Sequence, residues 1–187
     1  MIKKTLVMKF GGTSVGSPSA IARAAQLITE TNQEWPRLVV VTSAMSGVTN
    51  LLLESAASAV QGKPQSYVQA ATRLQGMHHA VIQELVVEPK IQARTYQEID
   101  KLLSEFNNLC YAIQVLGEAT PRALDAIAGL GERMSVRLLS AVLQSNGIAS
   151  QYVEATELII TDERYQGAHP DMLATQTCTQ DVLNPIL

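Results

Sequence analysis

The segment TLVMKFGGTSVGSP, residues 5–18, sets the fold class, because a short apolar run meets two glycines and then a serine–proline pair. The apolar run predicts a buried β-strand over residues 5–10, which the glycines end. Ser17 followed by Pro18 is typical of a helix start, with the serine as N-cap and the proline as first helical residue. The predicted helix has one apolar face, formed by Ile21, Ala24, Ala25 and Ile28.

The same order of elements returns further along the chain. Leu38 to Val41 is a run of aliphatic, mostly β-branched residues, which predicts a strand covered on both faces. Ser46 and Gly47 end this run, and a helix is predicted to begin near Thr49 or Asn50, either of which is a suitable N-cap. Strand, turn and helix thus alternate, which predicts an α/β fold with a parallel sheet and right-handed crossovers.

The middle of the chain, residues 55–127, predicts helices and no strand. Gln65 to Val87 and Ile91 to Val115 are rich in Ala, Leu, Gln and Glu at helical spacing, and prolines separate them. We therefore expect a helical insertion at about residues 55–127 within a single domain over residues 1–187.

The last third of the chain predicts one helix and then strands. Gly131 to Gln144 predicts the helix, which would end at residues 145–147 with a left-handed glycine. Ile148 to Val153 and Glu157 to Ile160 predict two strands. After residue 162 the pattern weakens, and no terminal helix is predicted.

Composition narrows the class of protein. The 187 residues are 47% apolar and 17% charged, an ordinary balance for one globular domain. A net charge of −3 with scattered Lys and Arg does not favour nucleic acid, and the short apolar runs do not favour a membrane. Cys110 and Cys178 lie far apart in the sequence, without histidines at metal-ligand spacing. We therefore expect these cysteines to form no disulfide and to bind no metal, and we expect the protein in the reducing cytoplasm.

Two turns after the predicted strands carry candidate chemistry. In the first turn, residues 9–16, Lys9 precedes Gly11 and Gly12, and neither the dinucleotide fingerprint nor a Walker A loop is present. A lysine there can face anionic oxygens held by glycine amides, or it can simply leave the strand for solvent. In the second turn, residues 42–50, the hydroxyls of Ser43 and Thr49 can donate to a carboxylate or phosphate, or serve as loop and capping groups.

A third segment places a carboxylate beside a glycine. Glu132 follows Gly131, where the sequence predicts a helix start. A carboxylate at that position either binds a cationic group or interacts favourably with the helix dipole. Taken alone, Glu132 does not decide between these two interpretations.

Four segments together resemble the aspartate kinases. These are Val7 to Val15, with Lys-Phe-Gly-Gly-Thr-Ser after an aliphatic strand, then Val40 to Asn50, Leu130 to Ser135, and Ile159 to Tyr165. They follow the family's order and span nearly the whole chain. The resemblance implies the amino acid kinase fold, a three-layer α/β/α sandwich with a mostly parallel sheet, here incomplete.

The resemblance also implies an activity and a site. Aspartate kinases transfer the γ-phosphoryl of ATP, with Mg²⁺, to the side-chain carboxylate of L-aspartate, on the route to lysine, threonine and methionine. Lys9 would contact the transferring phosphates, and Gly11 and Gly12 would lie along them. Ser43 and Thr49 would contact aspartate, and Glu132 would receive its ammonium group.

The chain departs from the family in one respect. The segment Gly-Arg-Gly-Gly-Ser-Asp, which holds the substrate carboxylate in aspartate kinases, does not occur in the 187 residues. We therefore expect the natural protein to continue beyond Leu187, this chain to be inactive alone, and its sheet to favour a homo-oligomer. Two alternatives stay open: another amino acid kinase, for glutamate, acetylglutamate, carbamate or a nucleoside monophosphate, and a non-catalytic binding or assembly module. A dinucleotide-binding oxidoreductase fits the glycine spacing poorly.

Overall fold

The computed structural model describes residues 4–187 and has a small parallel sheet surrounded by helices. Strand β1 is Leu6–Phe10 and strand β2 is Leu38–Thr42, and both predicted strands are confirmed to within a residue. The strands pair in parallel, with Leu6 opposite Leu38 and Phe10 opposite Thr42. Both strands therefore end at the same edge of the sheet.

Helices make up most of the described chain. They are α1 Pro18–Glu34, α2 Val48–Val60, α3 Pro64–Leu85, α4 Pro89–Leu116, α5 Pro121–Ser145 and α6 Met172–Leu183. Two short 3-10 helices occupy Gly12–Val15 and Ala155–Glu157. Residues 55–127 contain helices and their connections and no strand, as the sequence predicts. No helix within residues 4–187 has the length and apolar character needed to cross a membrane.

Proline begins four of these helices, and side-chain oxygens cap three of those starts. The prolines at the first helical position are Pro18, Pro64, Pro89 and Pro121. The Ser17 hydroxyl accepts a hydrogen bond of 3.2 Å from the Ala20 N–H, so the predicted N-cap of α1 is confirmed. Proline suits this position because the first helical N–H has no partner inside the helix.

The core forms where α2, α3, α4 and α5 pack together and α1 closes one side. The four residues predicted as the apolar face of α1 are all buried. The largest side chains with under 2% exposure include Leu52, Leu74, Ile82, Ile99, Phe106, Ile127, Leu130 and Leu138. Burial of one such side chain contributes about 1.5–3 kcal/mol, so these helices fix the frame on which the strand ends are held.

The two strands predicted near the C-terminus are wrong. Residues 148–153 form no strand within the described chain, and a 3-10 helix at Ala155–Glu157 precedes a lone antiparallel bridge between Thr161 and Pro170. Hydrogen bonds from side chains hold residues 148–153 in place of the expected hydrogen bonds between strands. The Gln144 side-chain amide donates to the Ser150 carbonyl oxygen.

Helix α6 is present where the sequence predicted no terminal helix. The Asp171 carboxylate caps it by accepting hydrogen bonds of 3.0 Å from the N–H groups of Leu173 and Ala174. Only Thr175 of this helix is buried. Its amphipathic pattern is therefore too weak to read from sequence.

Candidate functional site

The first and second turns meet at the edge where the strands end. The Ser43 N–H donates a hydrogen bond of 3.2 Å to the Phe10 carbonyl oxygen, which extends the contact between the two strands beyond their last residue pair. Because both strands run in the same direction, this edge brings residues 9–16 and residues 42–50 side by side. The pairing predicted from sequence thus places two of the three candidate segments together.

Two glycines of the first turn allow this close approach. A Cβ atom on Gly12 would lie 3.0 Å from the Ala44 carbonyl oxygen, and one on Gly16 would lie 2.9 Å from the Ser46 Cβ atom. Gly11 differs, because no atom lies within 4 Å of the place where its Cβ would be. The packing of the turns therefore explains Gly12 and Gly16, and it leaves the backbone at Gly11 open to a ligand.

The third segment reaches the second turn from the other side, through α5. A Cβ atom on Gly131 would lie 2.8 Å from the Ala44 Cβ atom and 3.2 Å from the Val48 Cγ1 atom. Further along the helix, the hydroxyls of Thr42 and Ser135 lie 3.4 Å apart. All three candidate segments thus converge on Ala44.

Glu132 lies inside α5 and not at its start, so that part of the sequence prediction is wrong. The helix begins at Pro121, where the Thr120 hydroxyl accepts a hydrogen bond of 3.2 Å from the Ala123 N–H. The interaction with a helix dipole that would have explained Glu132 is therefore absent, because that effect is confined to the first turn. Its side chain is exposed.

The predicted N-caps of α2 are also wrong. Gly47, with φ of +79°, occupies the N-cap position, and Thr49 and Asn50 lie within the helix. Thr49 therefore makes no capping hydrogen bond, although it stands in the first turn of α2. A left-handed φ at position 47 explains the glycine there.

Four polar side chains of the site have no partner of their own. Lys9 and Glu132 are exposed, and Ser43 and Thr49 are half-buried. None of the four makes an ion pair or a side-chain hydrogen bond within residues 4–187. Their charges and donors are available to a ligand.

Comparison with known proteins assigns the fold. The model of the amino acid kinase family matches residues 4–181. The chain belongs to the amino acid kinase family. The α/β class expected from the sequence is thereby confirmed, in an incomplete form with two strands in the described residues.

Several relatives of this chain are aspartokinases. The chain is 31% identical over 175 residues to the aspartokinase of Chlamydia muridarum, a match that covers 94% of this chain and 36% of that protein. It is 31% identical over 167 residues to the chloroplastic aspartokinase 1 of Arabidopsis thaliana, with 87% and 28% covered. The chain thus spans about a third of the length of these relatives.

Solved structures of E. coli aspartokinase III share this fold. The complex of that enzyme with lysine and aspartate superposes with a TM-score of 0.84 at 26% identity, over 97% of this chain and 38% of the other. The complex with aspartate and ADP gives the same TM-score at 27% identity, over 98% and 38%.

A separate cluster of charged side chains lies next to Glu132. Arg133 Nη1 lies 2.9 Å from Glu105 Oε1, and Arg133 Nε lies 3.0 Å from Glu154 Oε2, an ion-pair contact that is not a well-aligned hydrogen bond. Arg137 also pairs with Glu154 and lies 4.5 Å from the centre of the Tyr152 ring. Burial opposes the charge on Arg133, but the two carboxylates outweigh it and raise the pKa of Arg133.

The same balance acts on the acidic partner of the cluster. Burial would raise the pKa of Glu154, yet the hydrogen bond from Arg137 and the nearby charge of Arg133 outweigh it and lower that pKa below its ordinary value. Each charged side chain of the cluster therefore has an oppositely charged partner, unlike Lys9 and Glu132 of the candidate site. The cluster holds residues 148–157 against α5 and leaves no charge for a ligand.

A cleft of about 480 Å³ lies along the free edge of β2. Its walls include every residue of β2, the side of α5 that carries Leu139 and Leu143, residues 148–156 and the C-terminal Ile186 and Leu187. Thr42 and Glu132 belong to its lining, whereas Lys9 and the glycines of the first turn do not. The candidate site therefore borders the cleft and is not its floor.

Sequence reasoning missed the small residues that assemble the site. Four residues that make close contacts between the three segments were not among the predicted site residues, namely Gly16, Thr42, Ala44 and Ser135. Their signal in the sequence is only small side-chain size. Such a signal becomes informative when two candidate turns are already expected at one sheet edge.

Proposed function

We propose that this chain supplies phosphate- and aspartate-binding groups of an aspartate kinase, which transfers the γ-phosphoryl of ATP to the β-carboxylate of L-aspartate. The observation that carries the proposal is the convergence of three segments on Ala44 while their polar side chains stay unpaired within residues 4–187. The resemblance to aspartokinases, and solved relatives described with aspartate and ADP, support it. By the same resemblance we assign the product to the synthesis of lysine, threonine and methionine.

The reaction requires positioning more than proton transfer. The β-carboxylate of aspartate has an ordinary pKa of about 3.9, so it is already ionised at neutral pH and needs no general base. Two anions must instead be brought into line with little repulsion. Positive charge and N–H donors around the phosphoryl group supply that help.

Lys9 provides the charge on the phosphate side. It stands in the strand position before Phe10, the last residue of β1, with its side chain exposed and no acidic residue of the described chain paired to it. The backbone at Gly11 is open, so phosphate oxygens can approach its amide closely. The lysine then balances charge that develops as the phosphoryl group moves.

The second turn and α5 provide the aspartate side. The hydroxyls of Ser43 and Thr49 are free donors for a carboxylate, and the exposed carboxylate of Glu132 suits an ammonium group. An amino acid held by both of its charged α-groups leaves its side chain free to point at the phosphates.

Magnesium is expected from the family but has no ligand set of its own here. Residues 4–187 contain no cluster of three or more acidic, histidine or cysteine side chains that would hold a metal. Mg²⁺ commonly binds through substrate phosphates and water, which is compatible with these residues. Bound to the nucleotide, it would neutralise phosphate charge.

Turnover by this chain alone is not expected, because the segment Gly-Arg-Gly-Gly-Ser-Asp is absent from its sequence. Binding is therefore tested first. Isotope-labelled chain is titrated with L-aspartate and, separately, with L-glutamate, while the amide signals of Thr49 and Glu132 are followed. We expect aspartate to shift both signals and glutamate to leave them in place, and no acyl phosphate to be trapped by hydroxylamine when ATP is added.

Three other outcomes would redirect the proposal. Equal shifts with both amino acids would favour another amino acid kinase. Acyl phosphate formed by the chain alone would refute its expected inactivity. No shift with either ligand would favour a non-catalytic binding or assembly module, and that alternative would also gain from a homo-oligomer in solution. We propose a cytoplasmic location and a homo-oligomer for the kinase as well, so oligomeric state alone does not separate the two.

A further inference from the structure

We infer that the contact between Gly131 and Ala44 positions Glu132 relative to Ser43 and Thr49, and so sets the affinity of the site for L-aspartate. The inference rests on the proposed function, since it concerns the same site. Neither Gly131 nor Ala44 is proposed to touch a substrate. Both are positioning residues.

The first support is how closely α5 approaches the second turn. A Cβ atom added to Gly131 would lie 2.8 Å from the Ala44 Cβ atom, a separation that two carbon atoms without a bond do not adopt. Ala44 is 3% exposed and Gly131 is buried, so neither can turn away into solvent. Any side chain at position 131 therefore moves the helix or the turn.

A second contact fixes the same turn of α5 on the other side of Glu132. Ser135, which is 1% exposed, places its hydroxyl 3.4 Å from that of Thr42. Gly131 precedes Glu132 by one residue and Ser135 follows it within the next helical turn. With contacts before and after it, the Cα of Glu132 is held relative to the second turn by packing, and not by its own side chain.

Ala44 also joins this arrangement to the phosphate side. Its carbonyl oxygen is the atom that a Cβ on Gly12 would meet at 3.0 Å. One residue of the second turn is thus in contact with the first turn through its backbone and with α5 through its side chain. The spacing between Lys9 and Glu132 consequently depends on two contacts of Ala44, one with Gly12 and one with Gly131.

This spacing matters because transfer depends on near-contact between reacting atoms. A displacement of about 1 Å at a positioned group can cost roughly 100-fold in rate. An added methyl at position 131 requires a shift of this order to restore ordinary carbon–carbon separation. We expect Gly131→Ala also to weaken L-aspartate binding by roughly 10- to 100-fold, because the hydrogen bond between the displaced Glu132 carboxylate and the ammonium group is weakened.

The test is a double-substitution cycle in the 187-residue chain. Gly131→Ala, Ala44→Gly and the combined variant are compared with the unchanged chain for urea unfolding and for L-aspartate titration followed by NMR. Ala44→Gly removes the nearest atom that the new methyl would meet, so the combined variant restores most of the room lost in Gly131→Ala and leaves only the 3.2 Å approach to Val48 Cγ1. Gly129→Ala is the matched control, because it adds a methyl to the same helix with nothing within 4 Å.

We expect Gly131→Ala alone to lose both stability and aspartate affinity, the combined variant to regain most of both, and Gly129→Ala to keep its affinity. Additive effects in the cycle would overturn the contact itself, and this readout needs no ligand. Recovery of stability with unchanged affinity in every variant would show that the contact only packs, which overturns its positioning role. If the unchanged chain gives no aspartate shift at Thr49 or Glu132, the proposed function fails and the inference fails with it.

Discussion

The Ser43 N–H donates a hydrogen bond of 3.2 Å to the Phe10 carbonyl oxygen, while the Ser43 hydroxyl has no hydrogen-bond partner within residues 4–187. One residue thus joins the two turns through its backbone and keeps its side chain for a ligand. Structure and binding can be separated at this position, because the two depend on different atoms.

The first prediction uses that separation. Ser43→Ala keeps the N–H, so we expect little change in the free energy of unfolding and a loss of aspartate binding. Ser43→Pro removes the N–H and leaves the Phe10 carbonyl without its donor, which lowers the free energy of unfolding by roughly 1–3 kcal/mol. Urea unfolding and an L-aspartate titration measure the two effects. Equal stability of both variants would contradict the role of the backbone bond.

The second prediction concerns Lys9. Residues 1–187 can replace the matching part of E. coli aspartokinase III, to which they superpose with a TM-score of 0.84. We expect Lys9→Ala to abolish phosphoryl transfer in that hybrid, because the proposed phosphate site loses its positive side chain. The free energy of unfolding, measured by thermal unfolding, should change by no more than about 0.5 kcal/mol, since the side chain is exposed. Lys90→Ala, another exposed lysine, is the control, and near-normal turnover by Lys9→Ala would remove this residue from the mechanism.

The third prediction is a pH dependence at the ion cluster. Arg137 and Arg133 lower the pKa of Glu154 in the folded chain, so its contribution to stability is present above its unfolded pKa. That contribution is lost as the pH falls through the lower folded pKa. The difference in unfolding free energy between the unchanged chain and Glu154→Gln should be clear at pH 7 and shrink below about pH 4. A difference that grew on acidification would have the wrong sign.

The fourth prediction concerns a glycine without close neighbours. Gly76 lies inside α3 and has no atom within 4 Å of a would-be Cβ. Gly76→Ala should raise the free energy of unfolding by about 0.8–1.0 kcal/mol, because alanine restricts the unfolded chain and favours the helix. Chemical unfolding measures it. A destabilising result would mean that the helix approaches another part of the protein at this point.

The fifth prediction compares the two thiols. Burial raises the pKa of the Cys110 thiol to about 12, whereas Cys178 is only partly buried. Since the thiolate is the reactive form, iodoacetamide should label Cys178 much faster than Cys110 in the folded chain. Both should react in urea, and Cys178→Ser should remove the fast reaction. Equal native rates would mean that α4 opens readily around Cys110.

The sequence predicted the elements whose signals are local. Ser17 followed by Pro18 indicated the start of α1, and aliphatic runs indicated both strands, because caps and periodicity act over a few residues. Thr120 followed by Pro121 carries the same signal for α5, yet the later Gly131 was taken as the helix start. A glycine inside a helix costs about 1 kcal/mol relative to alanine, which makes it look like a boundary. Its close approach to Ala44 explains why it is tolerated there.

Strands and contacts between distant residues were harder to predict. Residues 148–153 have a strand-like composition, but a strand exists only where another strand pairs with it, and the sequence of one segment does not specify its partner. Lys9 and Glu132 were predicted as site residues from short motifs and from the resemblance to a family. The contact of Gly131 with Ala44 could not be predicted, because it depends on how α5 packs across the sheet edge.

Gly12, Gly16 and Gly131 also limit how sequences of this kind can diverge. Lysine can change to arginine and keep its charge, and glutamate can change to aspartate, so a charged position has intermediate choices. Every residue except glycine carries a Cβ atom, which at these three positions would lie within 3.0 Å of a neighbour. No other amino acid lacks a Cβ atom, so no conservative substitution is available for these glycines. Their variation requires a compensating change nearby, and for Gly131 the available one is at Ala44.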